Sequence, residues 1–284
     1  MTTTLAATIT NIRRILNDNP AQDVLGAAIS TAGATTLTPT DASLYHKGDT
    51  IEIEAELLLV TDVNTSTPVI TIRRGHKGST AATHANASLV NIAPRFEYPT
   101  VSQAIDTVLD ADLYHNGVYE IVEHQVTHDA TTTAYNAPSS SCEEFLDIYQ
   151  IPVTGQPPVH LKNFTRLGQN VDTTIYSNGK YFEIRENAAA PGSLYYVNCK
   201  HRLAIGTINT QQERITHLLS AAYLLEWTEP RRTAGPSNQG DRTVRPGQGV
   251  ATAAYYRQIA DKLLADEHSR LQAQIPPYRI FRRA

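Results

Sequence analysis

Apolar residues first recur at helical spacing: Leu5, Ile9, Ile12 and Leu16 form one stripe, with Ile15 beside it. That spacing predicts an N-terminal helix within residues 1–20, stopped by Asn17-Asp18-Asn19-Pro20. From Asp23 to Ile92 the period changes to two. Ile51, Ile53, Ala55 and Leu57 alternate with Glu52, Glu54 and Glu56, which predicts a strand carrying three carboxylates along one exposed face. Lys47-Gly48-Asp49 supplies a turn before it and Asn64–Pro68 a turn after it. Residues 22–93 therefore read as a small β domain of about five or six strands.

Pro94 and Pro99 bracket a return to helix over residues 94–116. There Thr100 or Ser102 is placed to cap, and Val101, Ala104, Ile105, Val108 and Leu109 share a face. Residues 117–209 are β again, in runs Val118–Val126, Phe145–Val153, Val159–Leu167, Thr174–Ile184 and Ser193–Ile205. Turn signals separate these runs, Asn178-Gly179 being the clearest hairpin, and the spacing predicts a β-sandwich. Residues 210–284 hold two helices and a tail. Ile215, Leu218, Leu219, Ala222 and Leu225 mark the first helix, and Ala254, Ile259, Leu263, Leu264 and Leu271 the second. The expected class is α+β: a bundle of N-terminal, central and C-terminal helices, with two antiparallel β domains inserted into it.

Composition narrows the function. Charged residues are 18% and the net charge is −4, so no basic field exists to hold nucleic acid. Fourteen Tyr against five Phe and one Trp fits half-buried surfaces that meet other subunits. No apolar run reaches the roughly 18 residues of a membrane span, and the N-terminus reads as an amphipathic helix rather than a signal peptide. The expectation is a protein made in a cytoplasm, with Cys142 and Cys199 as reduced thiols and the sequons at Asn64, Asn86 and Asn163 without meaning.

Candidate chemistry is thin. Arg74-Gly75-His76-Lys77-Gly78-Ser79-Thr80 lacks the Gly-Lys-Ser/Thr order of a phosphate loop and reads instead as a tight turn with Gly75 and Gly78 at positive φ. His124 and His128 are spaced for a metal only on a helix, yet they lie at a strand end; His76 and His84 carry no ligand pattern. Neither a Gly-x-Ser-x-Gly elbow nor a Cys with a placed His partner occurs. No catalytic residue, cofactor or metal is expected.

Residues Val69–Val90, VITIRRGHKGSTAATHANASLV, resemble a V-x-R-G-x-x-G-T-x-A-x-x-H-x-x-G-A-x-V segment of structural proteins in tailed bacteriophages. The resemblance runs through Ile72, Arg74, Gly75, Gly78, Thr80, Ala82, His84, Ser88 and Val90. Ser79 reads as an insertion before Thr80, and Asn86-Ala87 stands where Gly-Ala is usual. Arg95-Phe96, a short helix, and Leu113-Tyr114 then follow as they do after the phage segment.

The resemblance implies a head-to-tail adaptor in the virion neck, assembled in the host cytoplasm. It implies a homo-oligomeric ring of twelve subunits between the portal protein and the next neck or tail protein, a stopper or tail terminator. DNA would pass through the ring without specific binding, and no membrane is involved. In such a ring Glu52, Glu54 and Glu56 would face the channel or a neighbour's arginine. Arg231, Arg232, Arg242 and Arg245 would form an arm on the adjoining subunit. Tyr278, Arg279, Ile280, Phe281, Arg282 and Arg283, beyond Pro276-Pro277, would bind the portal. The alternative is a tail or receptor-binding module whose sandwich holds carbohydrate on Tyr176, Tyr181, Tyr195 and Tyr196.

Overall fold

A computed structural model describes residues 4–128, 134–151, 158–161, 164–169, 180–184, 193–228, 237–239, 242–244 and 248–274. The chain divides into two compact units. One comprises Met1–Val108 and Asn209–Leu264, the other Leu109–Ile208 and Ala265–Ala284.

The first unit begins with helix α1 (Leu5–Ile15), whose Ile9 and Ile12, with Leu16 just beyond, are buried as the stripe predicts. Six strands follow: β1 (Ala21–Val24), β2 (Thr36–Leu37), β3 (Thr50–Ile53), β4 (Glu56–Asn64), β5 (Val69–Arg73) and β6 (Leu89–Ile92). They form one antiparallel sheet in the order β1-β6-β3-β4-β5-β2. Its two edges meet. Leu25 bridges to Pro39, the Gly26 amide donates to the Thr38 carbonyl at 2.8 Å, and the Thr40 amide donates to that of Val24 at 3.2 Å. The sheet thus closes into a small barrel and leaves few unpaired backbone groups at its edges.

Asp23 fastens the seam by accepting from the Thr40 and Asp41 amides at 3.2 and 3.3 Å and from the Tyr45 hydroxyl at 3.0 Å. Inside the barrel pack Leu25, Ile51, Ile53, Leu58, Ile70 and Val90, all within 1% of full burial.

Helix α2 (Tyr98–Thr107) passes directly into a π-helical turn, Val108–Tyr114. Helix α3 (Thr210–Thr228) starts from a reciprocal cap. Asn209 accepts from the Gln211 and Gln212 amides at 2.9 and 3.0 Å, and the Gln212 side chain accepts from the Asn209 amide at 3.0 Å. Helices α1, α2 and α3 touch one another.

The second unit holds a four-stranded antiparallel sheet, in the order β10 (Val159–His160), β9 (Glu144–Gln150), β13 (Leu194–His201), β7 (Glu120–Thr127). A three-stranded sheet orders β11 (Phe164–Gln169), β12 (Lys180–Ile184), β8 (Ala134–Asn136). Both sheets contribute to one core that includes Phe145, Ile148, Phe182, Tyr195 and Val197. A short ribbon of β14 (Ser237–Gln239) and β15 (Arg242–Val244) and the long helix α4 (Gln248–Gln274) complete the described residues.

This architecture overturns the expected helical bundle with β insertions. Antiparallel sheet dominates, and only four α-helices occur among the described residues. The helical stripes misled because a stripe records that a helix is covered, not by what. The first barrel buries apolar residues against its own far wall, and the other side of β3 and β4, bearing Glu52 and Leu57, is buried as well. No helix among the described residues is long and apolar enough to cross a membrane.

Candidate functional site

The expected strand through Ile51–Leu57 is in fact a hairpin. Glu54, at φ 55°, and Ala55 form a two-residue turn, with Ile53 paired to Glu56. The reversal ends the simple alternation and separates the three carboxylates. Glu54 is exposed, whereas Glu52 and Glu56 are each 2% exposed and so face neither a channel nor a neighbour. Each buried carboxylate is gripped by an arginine, as burial of a charge requires.

Glu56 is the centre of the Val69–Val90 segment. Arg74 donates to both of its oxygens at 2.6 Å, the Gly75 and Ala82 amides donate at 3.2 and 3.0 Å, and His84 Nε2 lies 2.9 Å away. His84 Nδ1 is 3.2 Å from Glu54, so the imidazole spans the two carboxylates. Arg74 also donates to the carbonyls of Thr31 and Ala82. Burial pushes the Glu56 carboxyl up, but hydrogen bonds from Arg74, Ala82, His84 and Gly75 outweigh it and hold its pKa at about 2.

The turn itself uses positive φ at Gly75 (59°), Lys77 (53°) and Gly78 (82°). Ser79 is not a bystander. Its hydroxyl accepts from the Leu57 amide at 3.0 Å and donates to the Leu57 carbonyl at 3.2 Å, bracing the turn to β4. Ser79, which the resemblance reads as an insertion, takes up this contact.

Glu52 joins three elements. Arg13 of α1 donates to both its oxygens at 2.8 and 2.7 Å, Asn91 donates at 3.1 Å, and the Tyr98 amide donates at 2.6 Å. The α2 cap residue, Glu97, makes no side-chain cap bond, so Glu52 supplies the negative charge at that amino end. Arg13 also donates to the Phe96 carbonyl, and Asp18 accepts from the Arg95 and Phe96 amides at 3.1 and 3.0 Å. The Arg95-Phe96 pair of the phage-like pattern is thereby tied to the end of α1. Nothing in the sequence pointed to Arg13 or Asp18; they are the charges an amphipathic helix would ordinarily show to water.

In the second unit Cys142 and Cys199 are not free thiols. They form a disulfide with a Cα–Cα distance of 5.4 Å, within the usual bridging range. Their separation by 57 residues hid a simple fact of register: Cys199 lies opposite Phe145, at the start of the strand that Cys142 precedes.

His124 Nε2 lies 3.2 Å from His201 Nε2, with the rings stacked at 5.2 Å, and Cys199 adjoins both. Burial and the nearby His124 push the His201 pKa below its ordinary value. His128 goes elsewhere, to the Tyr135 hydroxyl at 2.8 Å. The sequence reading paired His124 with His128 by spacing and missed His201, which Cys199-Lys200-His201 places on the same strand face as the cysteine.

Tyr195 is fully buried between His128 and Tyr135, so it belongs to no exposed platform. Tyr196 instead stacks on Tyr149 at 5.1 Å and 10°, and Tyr149 adjoins His160. Tyr181 is half-buried and Tyr176 lies outside the described residues. Arg231, Arg232 and Arg245 of the expected arm, and the whole of Tyr278–Arg283, also lie outside them, while Arg242 falls on β15. No protein-family profile matches this chain, and no curated protein matches it in sequence.

Proposed function

We propose that the chain is a structural protein of a tailed-phage virion, acting as a head-to-tail adaptor subunit in a ring between portal and tail. The observation that supports this most is the use made of the Val69–Val90 segment. Its arginine, turn glycine and histidine converge on Glu56 and are consumed in bracing the barrel. A segment used this way serves rigidity, the property that a joint between head and tail demands. The proposal rests on that segment and not on the helical layout, which the fold corrects. A net charge of −4 suits a passage that lets DNA slide. The test is sedimentation of the purified chain with and without portal rings. Co-sedimentation with the portal supports an adaptor; a chain that ignores the portal refutes it.

One observation favours a second reading, a receptor-binding virion module. The Tyr149–Tyr196 stack, beside His160, presents partly exposed aromatic faces of the kind that sugars pack against. Binding of the purified chain on a glycan array, lost in Tyr149→Ala, would select this reading.

A further inference from the structure

The chain contains two cysteines and ten histidines; Cys199 lies together with two of those histidines, and Cys142 is bonded to Cys199. On β7 and β13, Val122 faces Cys199, while His124 and His201 stand on either side of that row on the same face of the sheet. The histidines lean across the row until their Nε2 atoms are 3.2 Å apart. The ligand atoms of His124, Cys199 and His201 all fall within 4.8 Å of one another. Around a tetrahedral ion with metal–nitrogen bonds of about 2.0–2.1 Å, two nitrogens sit roughly 3.3 Å apart, and a sulfur at about 2.3 Å sits roughly 3.5 Å from each. The observed nitrogen separation meets that geometry, and Cys199 is buried while His124 is half-buried, which gives an ion a way in from the His124 side.

We propose that His124, His201, Cys199 and Cys142 form a tetrahedral site for a zinc-class divalent cation once the disulfide is reduced. Metal and disulfide then compete for the same sulfur. Either one ties the segment before β9 to β13, so the second unit is stapled in both redox states. In a reducing cytoplasm the metal holds it; in an oxidising medium the disulfide does. The two Nε2 atoms, 3.2 Å apart, are within hydrogen-bond distance of each other, so both imidazoles already point at one place.

The reduction is balanced with a trialkylphosphine: the disulfide gains two electrons and two protons to give two thiols, and the phosphine takes oxygen from water to become its oxide. Coordination then releases the two thiol protons. Cobalt(II) serves as the probe because a tetrahedral thiolate site gives it strong visible bands and a near-ultraviolet sulfur band. The reduced full chain is expected to take up one cobalt with both signatures, and the oxidised chain to lack the sulfur band. His124→Gln and His201→Gln should each weaken uptake by roughly 100-fold or more, beyond what loss of an outer-sphere contact costs. These variants keep the disulfide, and an unchanged melting temperature in the oxidised state shows that they fold. In a parallel measurement on the parent, one equivalent of zinc should protect both thiols from alkylation. Absence of saturable uptake, parental affinity in either histidine variant, or unprotected thiols would each overturn the site.

Discussion

Arg74 and Glu56 meet as a parallel pair, each guanidinium nitrogen 2.6 Å from its carboxylate oxygen, with the two side chains 8% and 1% exposed. An ion pair so deep is costly to assemble and far more costly to halve, because removing one partner strands the other charge. Glu56→Gln should therefore destabilise the first unit by about 3–5 kcal/mol. Urea unfolding of parent and variant measures it, and a loss below about 1 kcal/mol would place the pair among ordinary surface bridges.

Acid should weaken the barrel through this pair. The Glu56 pKa is lowered from its ordinary 4.5 to about 2, so its stabilisation is fully present above about 4.5 and is lost as pH falls toward about 2. Asp23 at the barrel seam is also depressed: burial raises its pKa, but hydrogen bonds from Thr40, Val24, Asp41 and Tyr45 prevail. Stability should thus decline between pH 4.5 and 2, with a shallower slope in Glu56→Gln. Equal slopes in the two proteins would show that Glu56 does not carry the acid response.

The turn glycines should differ in their tolerance. Both hold positive φ, but a Cβ on Gly75 would stand 2.9 Å from the Ser79 carbonyl, whereas one on Gly78 meets open space. Gly78→Ala should cost about 1–2 kcal/mol, the left-handed penalty alone, and Gly75→Ala more than that. Thermal melts order the two, and a reversed order would refute the turn geometry.

Arg13→Met should loosen α1 and α2 together, since one guanidinium holds Glu52 and the Phe96 carbonyl. A cost of about 3–5 kcal/mol is expected, much of it from the stranded Glu52. Adding Glu52→Gln to Arg13→Met should recover part of that cost. A strictly additive pair would show that the two side chains are uncoupled.

Local features were the legible part of this sequence. The α1 stripe, the turn at Gly75–Gly78 and the β character of residues 22–93 follow from spacing and glycine placement. Partners distant in sequence were not legible. Arg13 reaches Glu52 across 39 residues and Phe96 across 83, and the barrel seam joins Leu25 to Pro39 through contacts that no periodicity records. The Glu52-Glu54-Glu56 alternation looked like a wet strand face because a two-residue turn at Glu54 leaves the spacing intact while reversing the chain. The His124–Cys199–His201 cluster was likewise hidden, as its members come from two strands far apart in the chain.

The proposed head-to-tail role is tested most directly by a nonsense mutation in this chain's reading frame, in the phage genome the proposal implies, examined by electron microscopy of lysates from a non-suppressing host. Complete DNA-filled heads and complete tails that remain unjoined are the predicted result, with joining restored by the parent chain but not by one lacking residues 278–284. Normally joined, infectious particles made without the chain would contradict the account.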